Sequence, residues 1–471
     1  MNSKTINGSL FFWCILFIKC SVYANIFPME IKFYNTLTNS IQVFKPIKEN
    51  EVSIYCCGPT VYNEPHIGNM RPVVIFDTLV RFLEYIGYDV KYVSNYTDVD
   101  DKIINKASEE GVSELEIANR YIASYRECLD ELNCLKAYKN PRVTEYMPYI
   151  IKYIENLVNV GAAYVADGDV FFDVTSIPNY GCLSNIKLDE LDAGKRIATS
   201  NKKHNPYDFA LWKKTDKGIK WHTEWCEGRP GWHTECCVMI DTIFGGKIDI
   251  HGGGHDLIFP HHENEIAQAE ATNHNTIANY WIHNGMMNIN SEKMSKSLGN
   301  VILAKDGIKE YGADTIRLLL LNCQYRSVLN FTDDTVNETK TILQKLENIW
   351  KQLNLKIAQS NGLLHGKSTK MEKFLNAFAD DINLPNAITE LLEIIKAANI
   401  EIRKSEMNLE ALEDYFYTLQ DMVRILGLHD VVKEYTKEDM DLYRDYLNAK
   451  KNKDFETSDK LRDVLIKKGI I

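Results

Sequence analysis

Two short loops and four scattered side chains carry residue types from which chemistry could be built. The first loop, Pro65-His66-Ile67-Gly68-Asn69, lies between a β-rich run and a helical pattern. A loop that enters a helix N-terminus offers free backbone N–H groups and the positive end of the helix dipole, which suits phosphate. His66 would face the anion. The second loop, Lys293-Met294-Ser295-Lys296-Ser297, sets two ammonium groups among small or flexible residues before another helix. Such a pair suits the charge on a transferring phosphoryl group. Taken alone, His66 also reads as a turn histidine and the lysine loop as a solvated surface. The four side chains are Cys57 at a predicted strand end, Cys236 in GWHTECC, and His261 and Glu265 in FPHHENE. The last two stand four apart and share a face of a predicted helix. Thiolate, thiolate, imidazole and carboxylate make a set that zinc accepts. No Cys-x-x-Cys is present, and each of the four singly also reads as structural: two small buried cysteines and a surface His–Glu hydrogen bond.

The elements that must position these groups follow from periodicity. Residues 52–57, VSIYCC, read as a strand that stops at Gly58-Pro59, and Val73, Phe76, Leu79, Val80, Leu83 and Ile86 recur at helical spacing from Pro72 onward. After Gly87, VKYVSN reads as a second strand, so the unit is β-α-β with a right-handed parallel crossover. Ligands in such sheets bind beyond the carboxyl ends of the strands, which singles out the loops at 57–69 and 95–102. Residues 103–160 read as helices, and 161–230 as an irregular insertion with one strand candidate, DVFFDV. The alternation resumes with the strand IDIH, a helix carrying HHENEIAQAEA, a strand YWIHNGMMNI, the loop SEKMSKSLGN and the helix GADTIRLLLL. From about 335 the pattern is amphipathic helices, with a loop predicted at 355–370. The expected fold class is α/β: a Rossmann-like parallel-sheet catalytic domain with an insertion, followed by an α-helical bundle. The expected boundaries are 29–145 for its first half, 146–225 for the insertion, 226–334 for its second half, and 335–471 for the bundle.

Composition narrows the class. Among 471 residues, 45% are hydrophobic and 25% charged, as in ordinary globular proteins and unlike disordered or polytopic membrane chains. The net charge of -11 means that a polyanion must be met by a local basic surface. Eleven cysteines cannot all pair within one chain and form no compact disulfide framework, so reduced thiols, some binding metal, are expected. Residues 10–18 form an apolar run that resembles a secretory signal and is too short to span a bilayer. Residues 1–28 are read as an N-terminal extension, with Met29 opening the working protein, no membrane association and a cytoplasmic location.

The two loop signatures, in this order and separated by an α/β pattern, resemble the nucleotide-binding pair of class I aminoacyl-tRNA synthetases. The usual first signature is His-Ile-Gly-His, and Asn69, which can still donate a hydrogen bond, stands in the last place. The segments YCCGPTVYNEPHIGN, NYTDVDDKI, DFALWK, GRPGWHTEC, IDIHGGGHDLIFPHHENEIAQ and KMSKSLGN resemble the cysteinyl-tRNA synthetase family in order and spacing, from about Met29 to the end. That resemblance implies that Cys57, Cys236, His261 and Glu265 ligate one zinc ion, with Cys56, Cys237 and His262 as neighbours. It implies that Thr97, Trp232, His251 and Asp256 line a cysteine pocket. It also implies that His66, Gly68, Asn69, Lys293 and Lys296 contact ATP with Mg²⁺, His66 and Lys296 being catalytic.

The implied reaction joins L-cysteine to tRNA(Cys) by way of cysteinyl-adenylate. Physics supplies a reason for the zinc. An apolar pocket separates near-isosteres by only about 10 to 200-fold, whereas zinc binds thiolate strongly and a serine hydroxyl poorly. The metal is expected to discriminate rather than to hydrolyse, and no editing domain is needed. For the RNA, the segment from Arg444 to Ile471 holds eight Lys or Arg against five acids, a modest basic surface that also reads as an ordinary solvated helix face. Two alternatives share the catalytic half: ligation of cysteine to a small amino sugar, and a non-catalytic zinc- or nucleotide-binding paralogue.

Overall fold

The structure, a computed structural model, describes residues 29–187, 202–273, 276–294, 299–360, 368–406, 408–430 and 435–471. A hairpin of β1 (Lys32–Asn35) and β2 (Ser40–Val43) leads into β3 (Glu51–Cys56), α1 (Ile67–Tyr85) and β4 (Asp89–Ser94). With β10 (Ile248–Gly254) and β11 (Ala278–Asn284) these strands form a four-stranded parallel sheet in the order β11-β10-β3-β4. This is the α/β sheet that the β-α-β pattern implies. Helix α1 is buried on nearly every side, because it crosses the sheet and is covered in turn by the helical bundle. The apolar period reads only from Pro72 onward, yet α1 starts at Ile67: Ile67 and Met70 already join the core, while Gly68 and Asn69 between them face a cleft.

Between β4 and β10 the chain forms α2 (Asp101–Glu110), α3 (Glu114–Glu131) and α4 (Val143–Asn159), then a second sheet. The stretch expected to be irregular holds five antiparallel strands: β5 (Ala163–Ala166), β6 (Asp169–Phe172), β7 (Phe209–Lys214), β8 (Trp221–His222) and β9 (Glu227–Pro230), in the order β5-β6-β7-β9-β8. Strands of two to six residues with a bulge between Val170 and Phe171 are too short to show a period-two pattern. They sit over a second core, shared with one face of the parallel sheet, that holds Phe172 and Trp212 with Met239, Tyr55 and Trp281. Helix α5 (Glu235–Phe244) leads from this sheet back to β10, and α6 (Glu263–Asn273) leads on to β11.

The single strand predicted at YWIHNGMMNI is two. Strand β11 ends at Asn284, and β12 (Met287–Ile289) joins a small sheet with β13 (Glu292–Lys293) and β14 (Leu329–Phe331). The break falls at Gly285, where the Arg71 guanidinium collects the carbonyls of Gly285 and Met286 at 2.6 and 2.7 Å. Helices α7 (Ala304–Tyr311) and α8 (Ala313–Leu321) precede the bundle of α9 (Asp333–Gln359), α10 (Glu372–Ala379), α11 (Leu384–Ile402) and α12 (Leu409–Leu426). Helix α9 runs to Gln359, into the stretch expected to be loop, because Ile357 continues the face buried against the bundle and Leu355 is covered on another side by the terminal helices. One apolar core joins bundle and sheet, from Ile54 and Phe76 to Leu320, Leu353 and Leu419. The chain closes with α13 (Lys437–Lys451) and α14 (Phe455–Lys467), which share a small separate cluster with Leu355.

Candidate active site and metal centre

Chain progression in the parallel sheet reverses between β3 and β10, and the crevice at such a switch point is where doubly wound sheets take their ligands. A cleft of about 440 Å³ opens there, lined among others by Cys57, His66, Gly68, Asn69, Trp232 and Asp256. Cys57 is the first residue past β3, and its backbone N–H donates to Gly252 at 3.1 Å. Gly252 admits no side chain, since a Cβ there would stand 1.9 Å from the Phe76 ring. That close approach seats α1 against β10.

Four side chains from separate parts of the chain converge at the cleft's inner end. Cys57 Sγ lies 3.6 Å from Cys236 Sγ and 3.7 Å from Glu265 Oε1. His261 Nε2 lies 3.7 Å from Cys236 Sγ and 2.9 Å from Glu265 Oε1. A tetrahedral zinc with bonds of about 2.0 to 2.3 Å has ligand-to-ligand edges of about 3.3 to 3.8 Å. The donor types fit zinc, and three of these four edges fall in that range; the His261–Glu265 edge is shorter, at hydrogen-bond distance. His261 follows a kink at Phe259, whose backbone is extended (φ -133°, ψ 131°), and stands two residues before α6. A second grouping, Cys57, His251, His262 and Glu265, is equally compact. There His262 Nε2 lies 3.2 Å from Cys57 Sγ, while its Nδ1 meets His283 at 2.8 Å, which in turn meets the Thr36 hydroxyl at 2.8 Å.

Burial penalises every charge in this nest, and neighbours then decide each group. Glu265 is held well below the usual carboxylate range by His251 and His261, despite its burial. His261 is raised to about 10 because Glu265 and Cys236 outweigh its burial. Cys236 is brought down to about 6 by its hydrogen bonds to Cys57 and His261, against burial, whereas burial and Cys236 push the Cys57 thiol well above its ordinary value. Burial drives His233 and His283 down to about 3. A divalent cation bound here would displace protons from the ligands.

The remaining residues singled out from sequence distribute as follows. Trp232 is 40% exposed and stacks on the His261 ring at 4.3 Å, and Asp256 lines the same cleft. Thr97 and His251 are buried behind it: Thr97 donates to Glu235, and His251 Nε2 meets Glu265 Oε2 at 2.6 Å. Asn69 acts through its oxygen, which accepts the backbone N–H of His66 at 3.0 Å and closes the start of α1. Lys293 is exposed in β13, and Met294 reaches over Gly68, where a Cβ would stand 2.6 Å from its terminal methyl. Ser295, Lys296 and Ser297 lie outside the described residues. Just beyond them, Ile67 N–H donates to Ile302 at 3.0 Å and Ala304 N–H to Pro65 at 2.8 Å, so the segment after the lysine loop is stitched to the histidine loop. Asn95, Glu235, His233 and His283 are not singled out from sequence, although Asn95 opens the 95–102 loop and His233 and Glu235 stand in GRPGWHTEC. At the far end, all eight basic residues between Arg444 and Ile471 are exposed, with Phe455 69% exposed among them.

Residues 43–341 match the family of tRNA synthetases class I (C) catalytic domains, and residues 373–430 match the DALR domain. The chain is similar to the cysteine–tRNA ligase of Oceanobacillus iheyensis, 44% identical over 454 residues that cover 94% of this chain and 97% of that one. It is similar to the cysteine–tRNA ligase of Bacillus cereus, 45% identical over 452 residues with the same coverage, 94% and 97%. Among solved structures, the Mycobacterium tuberculosis methionyl-tRNA synthetase bound by methionyl-adenylate aligns with a TM-score of 0.60 at 15% identity, over 80% of this chain and 90% of that chain. That likeness concerns the fold.

Proposed function

The chain belongs to the cysteine–tRNA ligase family of class I aminoacyl-tRNA synthetases, and from that premise we propose that it charges tRNA(Cys), using one zinc ion to select the thiol. The observation that carries this reading is the nest of Cys57, Cys236, His261 and Glu265 opening into the cleft walled by the His66 loop. Zinc held by those four side chains would supply a soft Lewis acid that prefers thiolate to hydroxyl. Trp232 and Asp256 would border the cysteine from the cleft side, with Thr97 and His251 supporting the pocket from beneath.

The reaction runs in two steps. The cysteine carboxylate attacks the α-phosphate of ATP, forming the mixed anhydride and releasing pyrophosphate; a terminal ribose hydroxyl of the tRNA then takes the cysteinyl group and AMP leaves. His66, Gly68 and the N-terminus of α1 would hold the triphosphate, with Asn69 keeping the first turn closed. Lys293 and Lys296, with Mg²⁺ accompanying ATP, would stabilise charge developing during phosphoryl transfer. The exposed basic residues between Arg444 and Ile471, eight against five acids, would meet the RNA. No described helix is long and apolar enough to cross a membrane, and the demand for ATP and tRNA favours a cytoplasmic site of action. A small amino-sugar acceptor would leave the matched DALR region without a task. The test is charging of tRNA(Cys) with cysteine against serine, with metal measured on the same sample. Cysteine-specific charging by protein carrying one zinc is expected; charging without zinc, or equal use of serine, would overturn the reading.

A further inference from the structure

We propose that Asn95 and Glu235 are positioning residues that set the spacing of the two cysteine ligands and thereby the affinity of the site for zinc; this rests on the functional reading above. Cys57 and Cys236 are 179 residues apart, one at the end of β3 and the other in the first turn of α5. Their immediate chain neighbours grip a common segment, residues 95–97, which extends β4. Gly58, beside Cys57, donates its backbone N–H to Asn95 Oδ1 at 2.8 Å. Glu235, beside Cys236, accepts from the Thr97 hydroxyl through Oε1, and Asn95 Nδ2 faces that same oxygen at 3.4 Å.

The segment is itself locked to the Cys57 loop. Thr97 N–H donates to Pro59 at 3.1 Å, and Val61 N–H donates to Thr97 at 3.2 Å. A Cβ on Gly58 would stand 1.7 Å from the Asn95 carbonyl oxygen, so the two backbones touch. Asn95, Thr97 and Glu235 are all buried, and neither Asn95 nor Glu235 lines the cleft. Contact with substrate therefore does not explain them. Release of either hydrogen-bonding arm frees one cysteine to drift from the other, and a tetrahedral site punishes drift because its ligand edges are fixed by short bonds. Partners that orient metal ligands typically account for about 10 to 100-fold in metal affinity.

The test measures zinc dissociation constants of the full chain by competition with a chromophoric chelator. Glu235→Ala and Asn95→Ala are expected to weaken zinc binding by about 10 to 100-fold, while Glu235→Gln, which keeps the accepting oxygen, stays within about threefold. In the cobalt-substituted protein the ligand-field bands should move in the alanine variants and not in Glu235→Gln, a readout that general loss of stability does not shift. Should an alanine variant fail to fold, Thr97→Val decides: it keeps the shape, removes the hydroxyl that holds Glu235, and is expected to weaken zinc by about 10-fold. Folded variants that bind zinc within about twofold of the parent would overturn the inference, as would Glu235→Gln losing as much as Glu235→Ala. A parent that binds no zinc would sink the functional reading and this inference together; a zinc-binding parent with indifferent variants would sink this inference alone.

Discussion

At Gly58 the site tolerates no side chain, because the space a Cβ needs is occupied by the backbone oxygen of Asn95. Gly58→Ala must push the Cys57 loop away from residues 95–97, and overpacking of this kind costs about 1 to 3 kcal/mol. The expected outcome is a protein that unfolds at lower denaturant and retains less zinc after dialysis. Cys236→Ser makes a purer chemical test, since it replaces a buried thiol 3.6 Å from Cys57 with a much less acidic hydroxyl. Its zinc content should fall well below one per chain by elemental analysis, with far-ultraviolet circular dichroism unchanged.

Among the elements, α8 ties the bundle to the sheet through one buried cation. Arg317 is fully buried; it pairs with Asp77 on α1, and donates to Leu132 after α3 at 2.7 Å and to Leu426 at the end of α12 at 2.6 Å. Gly427 follows in a left-handed conformation, φ 69°, where a side chain would collide with the guanidinium. Three layers meet on this group. Arg317→Met removes one of two cations on buried Asp77, which keeps Arg81 at 2.8 Å, and takes this donor from the carbonyls of Leu132 and Leu426; a buried polar group left unsatisfied costs about 1 to 3 kcal/mol. Urea unfolding should show that loss, and Asp77→Leu should cost more than Arg317→Met, because it strands Arg81 and the Leu135 N–H as well as Arg317.

For the molecule as a whole, the terminal helices form a small cluster apart from the core that joins bundle and sheet. Helices α13 and α14 touch the bundle through a small cluster around Leu355. Removing residues 435–471 is expected to preserve cysteine-dependent ATP–pyrophosphate exchange while kcat/KM for tRNA falls by about 100-fold, a loss of near 3 kcal/mol. The terminal pair has its own acid sensitivity. A hydrogen bond from Lys468 at 3.0 Å, with the Thr436 contacts, pulls Asp439 down from 3.8 to about 2. A folded value below the unfolded one means that ionised Asp439 stabilises the pair above about pH 4, and that this contribution fades as pH falls toward 2. Asp439→Asn should therefore speed amide exchange in α14 at pH 7, and the gap from the parent, corrected for intrinsic rates, should close below pH 4.

Much of this molecule is legible in local patterns. The β-α-β alternation announces the parallel sheet, the two loop signatures resemble the nucleotide-binding pair of the family, and the four-residue step from His261 to Glu265 announces a shared face. Each rests on contacts within a few residues, where backbone geometry dictates who meets whom. The five short antiparallel strands, the break at Gly285 and the burial of Arg317 left no such trace, since their partners lie far along the chain. The meeting of Cys57 with Cys236, and the grip of Asn95 and Glu235 on their neighbours, belongs to the same class. A residue type states what a side chain can do; only the packing of β3, β4, β10 and α5 around one crevice decides which side chains do it together, because proximity across 179 residues is a property of the folded core and of no segment within it.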